Sequence, residues 1–165
     1  ANARAVKSWR AVIRAPPSSP EPSPTFRTAA VGSELQDGSP TAVAGVPPNP
    51  NDDGQRWGNP LYDWDHLAEP GYDWWLGRLR RLLDLVDVAR IDHFKGFDEY
   101  WAIPAESDDP AEGRWVDAPG YDFFETVDRE LGDLPFVVED LGFIEQGLVD
   151  LRDRFGFPGM RVPHY

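Results

Sequence analysis

Two short runs narrow the folds open to this chain: LVDVARI at residues 85–91 and LPFVVED at residues 134–140. Both are apolar and rich in β-branched residues. Both stop on charge, the first at Arg90-Ile91-Asp92-His93 and the second at Glu139-Asp140. Helical stripes lie between and around them. Residues 72–84 carry apolar side chains at 72, 75, 76, 79, 82 and 83, and residues 120–131 carry Phe123, Phe124, Val127 and Leu131 on one side. Residues 145–155 predict a third helix, and GMRVPHY at 159–165 is expected to open a third strand. Alternation of this kind predicts parallel strands joined by crossover helices. Strands apolar throughout fit a sheet buried on both faces. The expected class is therefore α/β, with function gathered where the strands end.

The N-terminal part has a different texture. Ala15–Pro24 reads APPSSPEPSP, half of it proline, which denies backbone donors and blocks helix and central strand alike. Residues 9–38 are expected to be irregular or disordered, with a proline-rich docking segment as the alternative. Residues 1–40 hold five bases against three acids, whereas the whole chain has 29 acids, 16 bases and a formal charge of −13. Only Lys7 and Lys95 are lysines. An acidic balance argues against a nucleic-acid partner. It fits either a solvated surface of the kind found in salty cytoplasm or an ordinary acidic protein. With no cysteine there is neither a disulfide framework nor a thiolate metal site, which agrees with a cytoplasmic location. No apolar run approaches the ~20 residues of a membrane span, so no membrane partner is expected. The first residues lack a signal-peptide core and do not begin with Met, so the chain reads as a piece of something longer.

The charged strand ends carry the chemistry. If the two strands are neighbours, Asp92 and Glu139 face each other across the mouth of the sheet. Two carboxylates so placed suit glycoside chemistry, one as nucleophile or cation stabiliser and the other as acid and then base; in a retaining mechanism they stand about 5–5.5 Å apart. Arg90 points to the same side as Asp92 by strand alternation and attracts its carboxylate. Other readings stay open. Asp92 is read equally well as the cap of a following helix, and Asp140 more readily as a cap or loop residue than as a chemical group. His93 suits either substrate hydrogen bonding or packing, and His66 and His164 are read as structural. Carboxylates at strand ends can also hold Mg²⁺, which needs a third acid from another strand. The turn-rich stretch at residues 37–64 favours sugar instead. Its Trp57, Tyr62 and Trp64, with Trp101 further on, offer faces for stacking on sugar C–H surfaces, and Asn59 and Asp63 are polar neighbours. A loop of that length is usually functional or disordered.

Taken together, AGVPP, GQRWGNPLYDW, RIDHFKGF, VVEDLG and LRDRFGFPGMRV, in that order from about Asp37 to Val162, resemble glycoside hydrolase family seventy-seven. These are the 4-α-glucanotransferases, also called amylomaltases or disproportionating enzymes. The resemblance implies a retaining (β/α)₈ barrel that moves α-1,4-glucan segments between maltooligosaccharides and needs no cofactor. It implies that Asp92 is the nucleophile, Glu139 the general acid/base and Arg90 the nucleophile's arginine. It also implies that residues 54–62 cover the site, with Trp57 stacking on glucan and favouring a sugar acceptor over water. His93, Asn59 and Tyr62 are the accompanying substrate-binding candidates.

Three departures accompany it. The family's third aspartate, on a later strand, lies beyond Tyr165. Its VPPD is Val46-Pro47-Pro48-Asn49 here. Its upstream GDLPIYV-type strand is absent, and residues 9–32 read as though paired frameshifts had scrambled it. The expected organisation is an irregular segment over 1–40 and a partial barrel of about three strands over 41–165. A partial barrel leaves strand edges unpaired. The chain alone is thus expected to be poorly stable and nearly inactive, with an inactive glucan-binding remnant as the alternative.

Overall fold

The structure is a computed structural model that describes residues 35–36, 39–142 and 144–162. The proline-rich segment Ala15–Pro24, the suspected frameshift and His164 lie outside the described residues. Eight strands and four α-helices are present among the described residues. The strands are β1 (Leu35–Gln36), β2 (Ser39–Pro40), β3 (Ala42–Val46), β4 (Gln55–Pro60), β5 (Ala89–Ile91), β6 (Glu99–Pro104), β7 (Arg114–Asp117) and β8 (Phe136–Val138). The helices are α1 (Trp64–Ala68), α2 (Asp73–Leu83), α3 (Gly120–Leu131) and α4 (Gln146–Arg154).

The three expected helices form where their stripes predict. α2 buries Trp75, Leu76 and Leu79, and α3 buries Phe123, Phe124 and Val127. α4 adds Leu148 and Leu151. These faces close on β5 and β8, whose Ala89, Ile91, Phe136 and Val138 complete one apolar cluster with Phe94 and Phe157. α3 starts at Gly120 because a Cβ there would collide with the carbonyl oxygen of Phe97. It ends at Gly132, whose φ of 74° a side chain would resist. The Tyr72 hydroxyl, fully inside this core, donates to Asp122 at 2.6 Å and ties the entrance of α2 to α3.

β5 and β8 pair in parallel, Ala89 with Phe136, Arg90 with Val137 and Ile91 with Val138. This is the parallel pairing the sequence predicts. Among the described residues the third strand is not formed, since residues 157–162 are neither helix nor strand; residues 163–165 of that expectation lie outside the described residues. The Val138 amide does donate to the Pro158 carbonyl at 2.9 Å, but the amide that would return a parallel bond, that of Met160, donates to Asp140 Oδ1 instead, so no ladder grows.

The turn-rich stretch differs more. It contributes β3 and β4 to a sheet: β4, β3, β6 and β7 form one antiparallel sheet in that order. Gly45 sits where a Cβ would collide with the Gln55 carbonyl oxygen and Ile103, so only glycine lets β3 fit between its neighbours. Arg56 braces the hairpin by donating to the carbonyls of Ser107 and Ala105 at 2.8 and 2.9 Å. Within the stretch read as irregular, β1 pairs antiparallel with β2, Leu35 with Pro40 and Gln36 with Ser39. The departure at Asn49 is benign. Its side-chain oxygen accepts from the Asn51 amide at 2.9 Å, as an aspartate there would, and its backbone closes on Asp52 in both directions.

Candidate active site

The site forms where β5 and β8 end. The ladder runs one step past the last register pair: the Glu139 amide donates to the Ile91 carbonyl at 2.8 Å, and the Phe94 amide donates to the Glu139 carbonyl at 3.0 Å. The residues after Ile91 are thus pinned against Glu139. Its side chain completes the clamp. Oε2 accepts from the His93 amide at 2.9 Å and Oε1 from the Leu141 amide at 3.1 Å. His93 adopts φ 51° and ψ 55°, a left-handed conformation that is uncommon outside glycine. That twist turns its amide toward Glu139, so the carboxylate holds the strained residue in place.

Asp92 lies on the open side, with its side chain 42% exposed. Arg90, two residues back on the same side of β5, pairs with its Oδ1. The other end of that guanidinium is held too, with Nε donating to the Met160 sulfur at 3.1 Å. Trp57 reaches over from β4 and meets the His93 ring edge-on, with centroids 4.9 Å apart. The Trp57 indole N–H donates to Gln55 at 3.0 Å. Burial pushes the His93 imidazole below its usual value; Glu139 and Asp92 pull it up and Lys95 pushes it down, leaving it lowered and the ring neutral near pH 7.

Five of the sequence-predicted residues therefore gather at these strand ends in two contact sets, Arg90 with Asp92, and Glu139 with His93 and Trp57. Tyr62 goes elsewhere. It packs among Trp64, Trp74 and Trp75 on the core, and burial raises its phenol against the opposing pull of Arg78. Asn59 is exposed on β4. Trp101 donates to the Pro110 carbonyl at 2.8 Å and packs on Trp115, and Asp63 caps α1 through the His66 amide at 3.0 Å. Asp140 has the loop role favoured for it, accepting from the Met160 amide and Arg152. Sequence reasoning missed Lys95, which pairs with Glu99 at 2.5 Å and stacks its ammonium 4.7 Å from the Trp115 ring centroid. It also missed Met160. The scarcity of lysine and the single methionine were the available signals. Among the described residues no three acidic or histidine side chains are grouped to hold a metal ion.

Two carboxylates in unlike settings, one exposed beside a guanidinium and one half-buried against amides, are the division of labour that acid–base and nucleophilic chemistry needs. A family model described as 4-alpha-glucanotransferase matches residues 28–165. The chain belongs to that family. It is 50% identical over 126 residues to a 4-alpha-glucanotransferase of Streptococcus pneumoniae, covering 76% of this chain and 25% of that one. To the 4-alpha-glucanotransferase of Thermus thermophilus it is 51% identical over 128 residues, covering 77% and 26%. Among solved structures, the amylomaltase of Streptococcus agalactiae in complex with acarbose superposes with a TM-score of 0.75 at 43% identity, covering 79% of this chain and 27% of that one. The chain spans about a quarter of the length of the curated relatives it matches. All five contacting site residues lie inside the part of this 4-alpha-glucanotransferase family member that the family model matches.

Proposed function

We propose that this chain supplies the nucleophile and the acid/base of a retaining 4-α-glucanotransferase acting on maltooligosaccharides. The observation that carries the reading is the register of β5 and β8, which puts Asp92 and Glu139 one residue past the pair Ile91 and Val138. β5 and β8 are then adjacent strands of a (β/α)₈ barrel, and the β3–β4 hairpin is the cover over its mouth. In the first step Asp92 attacks the anomeric carbon with Oδ2, since Arg90 engages Oδ1. Glu139 gives its proton to the departing glycosidic oxygen. The glycosyl–Asp92 ester then receives the 4-hydroxyl of an acceptor glucan, whose proton Glu139 takes back. Oε1 is the oxygen suited to carry that proton: its bond to the exposed Leu141 amide is the longer of the two, and water replaces it readily. Trp57 stacks on the sugar at the acceptor side, and the neutral His93 beneath it offers a hydrogen bond. These steps are carboxylate chemistry throughout and use no cofactor. A cytoplasmic site of action fits a polymeric storage-sugar substrate.

The test grafts residues 35–162 into the Thermus thermophilus relative in place of its matching segment and measures disproportionation of maltotriose. Turnover by the graft, and its loss by several orders of magnitude in both D92N and E139Q, is the expected result. Turnover that survives either substitution overturns the assignment. A graft that binds acarbose but never turns over would favour the inactive glucan binder instead.

A further inference from the structure

We infer that Asp140 is a positioning residue for the Asp92 carboxylate, acting through Met160 and Arg90. The inference rests on Asp92 being the nucleophile, as proposed above. Asp140 is the one charged side chain that is buried among the described residues, 6% exposed. Its Oδ1 accepts from the Met160 amide at 2.8 Å, and its Oδ2 accepts from Arg152 Nη1 at 2.6 Å. Burial by itself would raise this carboxyl, but the two donors outweigh it and hold it below the usual carboxylate range. Both oxygens are thus committed to protein donors, and neither is left for a substrate.

What those bonds fix is the course of residues 157–160. The segment is drawn so close that a Cβ on Gly159 would collide with Asp140. Met160, held by its amide, then lays its sulfur 3.1 Å from Arg90 Nε. Arg90 closes the series by pairing with Asp92 through Nη2. The guanidinium is therefore gripped at both ends, which restricts its rotamers and with them the orientation of Asp92. A thioether is a weak acceptor, so its contribution is direction rather than energy. The series bridges the ends of β5 and β8 from outside their ladder, on a route separate from the Glu139 clamp.

The single methionine makes this testable in the 165-residue chain without substrate. Methyl-¹³C-methionine labelling gives one signal, from Met160; the Arg90 Nε–H and the side-chain carboxyl carbons of Asp92 and Glu139 are read alongside it. In D140A the Met160 methyl is expected at the position of methionine in an unstructured peptide. The Arg90 Nε–H should exchange with water about twofold faster, the factor that a weak bond of about 0.5 kcal/mol corresponds to. Met160→Leu preserves bulk and leaves the Asp140–Arg152 pair intact. It should still shift the Arg90 Nε–H and Asp92 carboxyl signals while Glu139, bonded elsewhere, stays put. A released Met160 with unchanged Arg90 and Asp92 signals overturns the inference and leaves Asp140 a mere tether. If D140A unfolds the chain, Met160→Leu decides alone, and unchanged Arg90 and Asp92 signals again overturn it. Failure of the transferase reading shows up differently, as turnover that survives D92N in the graft.

Discussion

Glu139 is both a proposed acid/base and a brace, and the two roles separate by measurement. In E139A two amides lose a charged acceptor. A hydrogen bond to a charged group contributes about 1.5–3 kcal/mol net when its donor is shielded from water. The Leu141 amide sits in an exposed loop, so water recovers most of that bond. The His93 amide is half-buried and belongs to a residue in a left-handed conformation, whose carbonyl accepts from the Gly96 amide at 3.0 Å but whose N–H has Glu139 as its partner. Its loss counts near the low end of the range, and E139A should lower stability by about 2 kcal/mol. E139Q keeps one carbonyl oxygen, which it will turn to His93, and surrenders only the Leu141 bond. Its cost should stay near 0.5–1 kcal/mol. Urea unfolding of the 165-residue chain, followed by tryptophan fluorescence with linear extrapolation, measures both. Equal stabilities for E139A and E139Q, or an E139A within about 0.5 kcal/mol of the parent, would show that the carboxylate does not hold His93. Both variants are expected to abolish transfer in the graft, so activity and stability part company only in E139Q.

Other outcomes follow from the same contacts. Burial lowers His93 in the folded state, so the unfolded chain takes up that proton first; stability is complete above the unfolded value of about 6.5 and declines as pH falls through it toward the folded value. H93N, whose asparagine tolerates the left-handed conformation, should flatten that decline in urea titrations run between those limits. F124A empties a site that is 0% exposed and ringed by five phenylalanines with centroids at 4.9–5.6 Å, and should cost about 3–5 kcal/mol by the same assay. W57A in the graft should raise the share of hydrolysis relative to transfer, read as free glucose released from maltotriose; an unchanged ratio would remove Trp57 from the acceptor side. Translating the DNA that encodes residues 9–32 in its other two frames should yield a GDLPIYV-type strand; none in either frame ends the frameshift reading.

The helices and the parallel pair were legible because each buries a stripe or a continuous run. α2, α3 and α4 fall within a residue or two of the stretches their apolar spacing predicts. The antiparallel sheet was hidden for the opposite reason. β4 is exposed along its whole length, so QRWGNP has no alternation to read, and Gly, Pro and Asn mark turns around it. Burial alternates along β3, but over only five residues, with a glycine among them. The two carboxylates, their arginine and His93 were legible because strand ends are where such chemistry collects. Tyr62 was not separable from Trp57 by sequence, since both are aromatics between turns; only packing sends one to the core and the other to His93. Met160 and Asp140 meet across 20 residues of chain, a distance at which no local pattern speaks.

The clamp between His93 and Glu139 closes a span of 46 residues. Helices form quickly from local contacts, whereas a pairing of this separation must first overcome the entropy of closing a long loop. α2 and α3 can therefore form as helices before β8 arrives beside β5, while their aromatic faces, joined across 50 residues by Tyr72 and Asp122, meet at a similar entropic cost. Until it does, Asp92 and Glu139 are strangers and His93 has no reason to hold its twist. The candidate site of this chain thus waits on a long-range pairing, and a tightened His93 amide would report the moment of its completion.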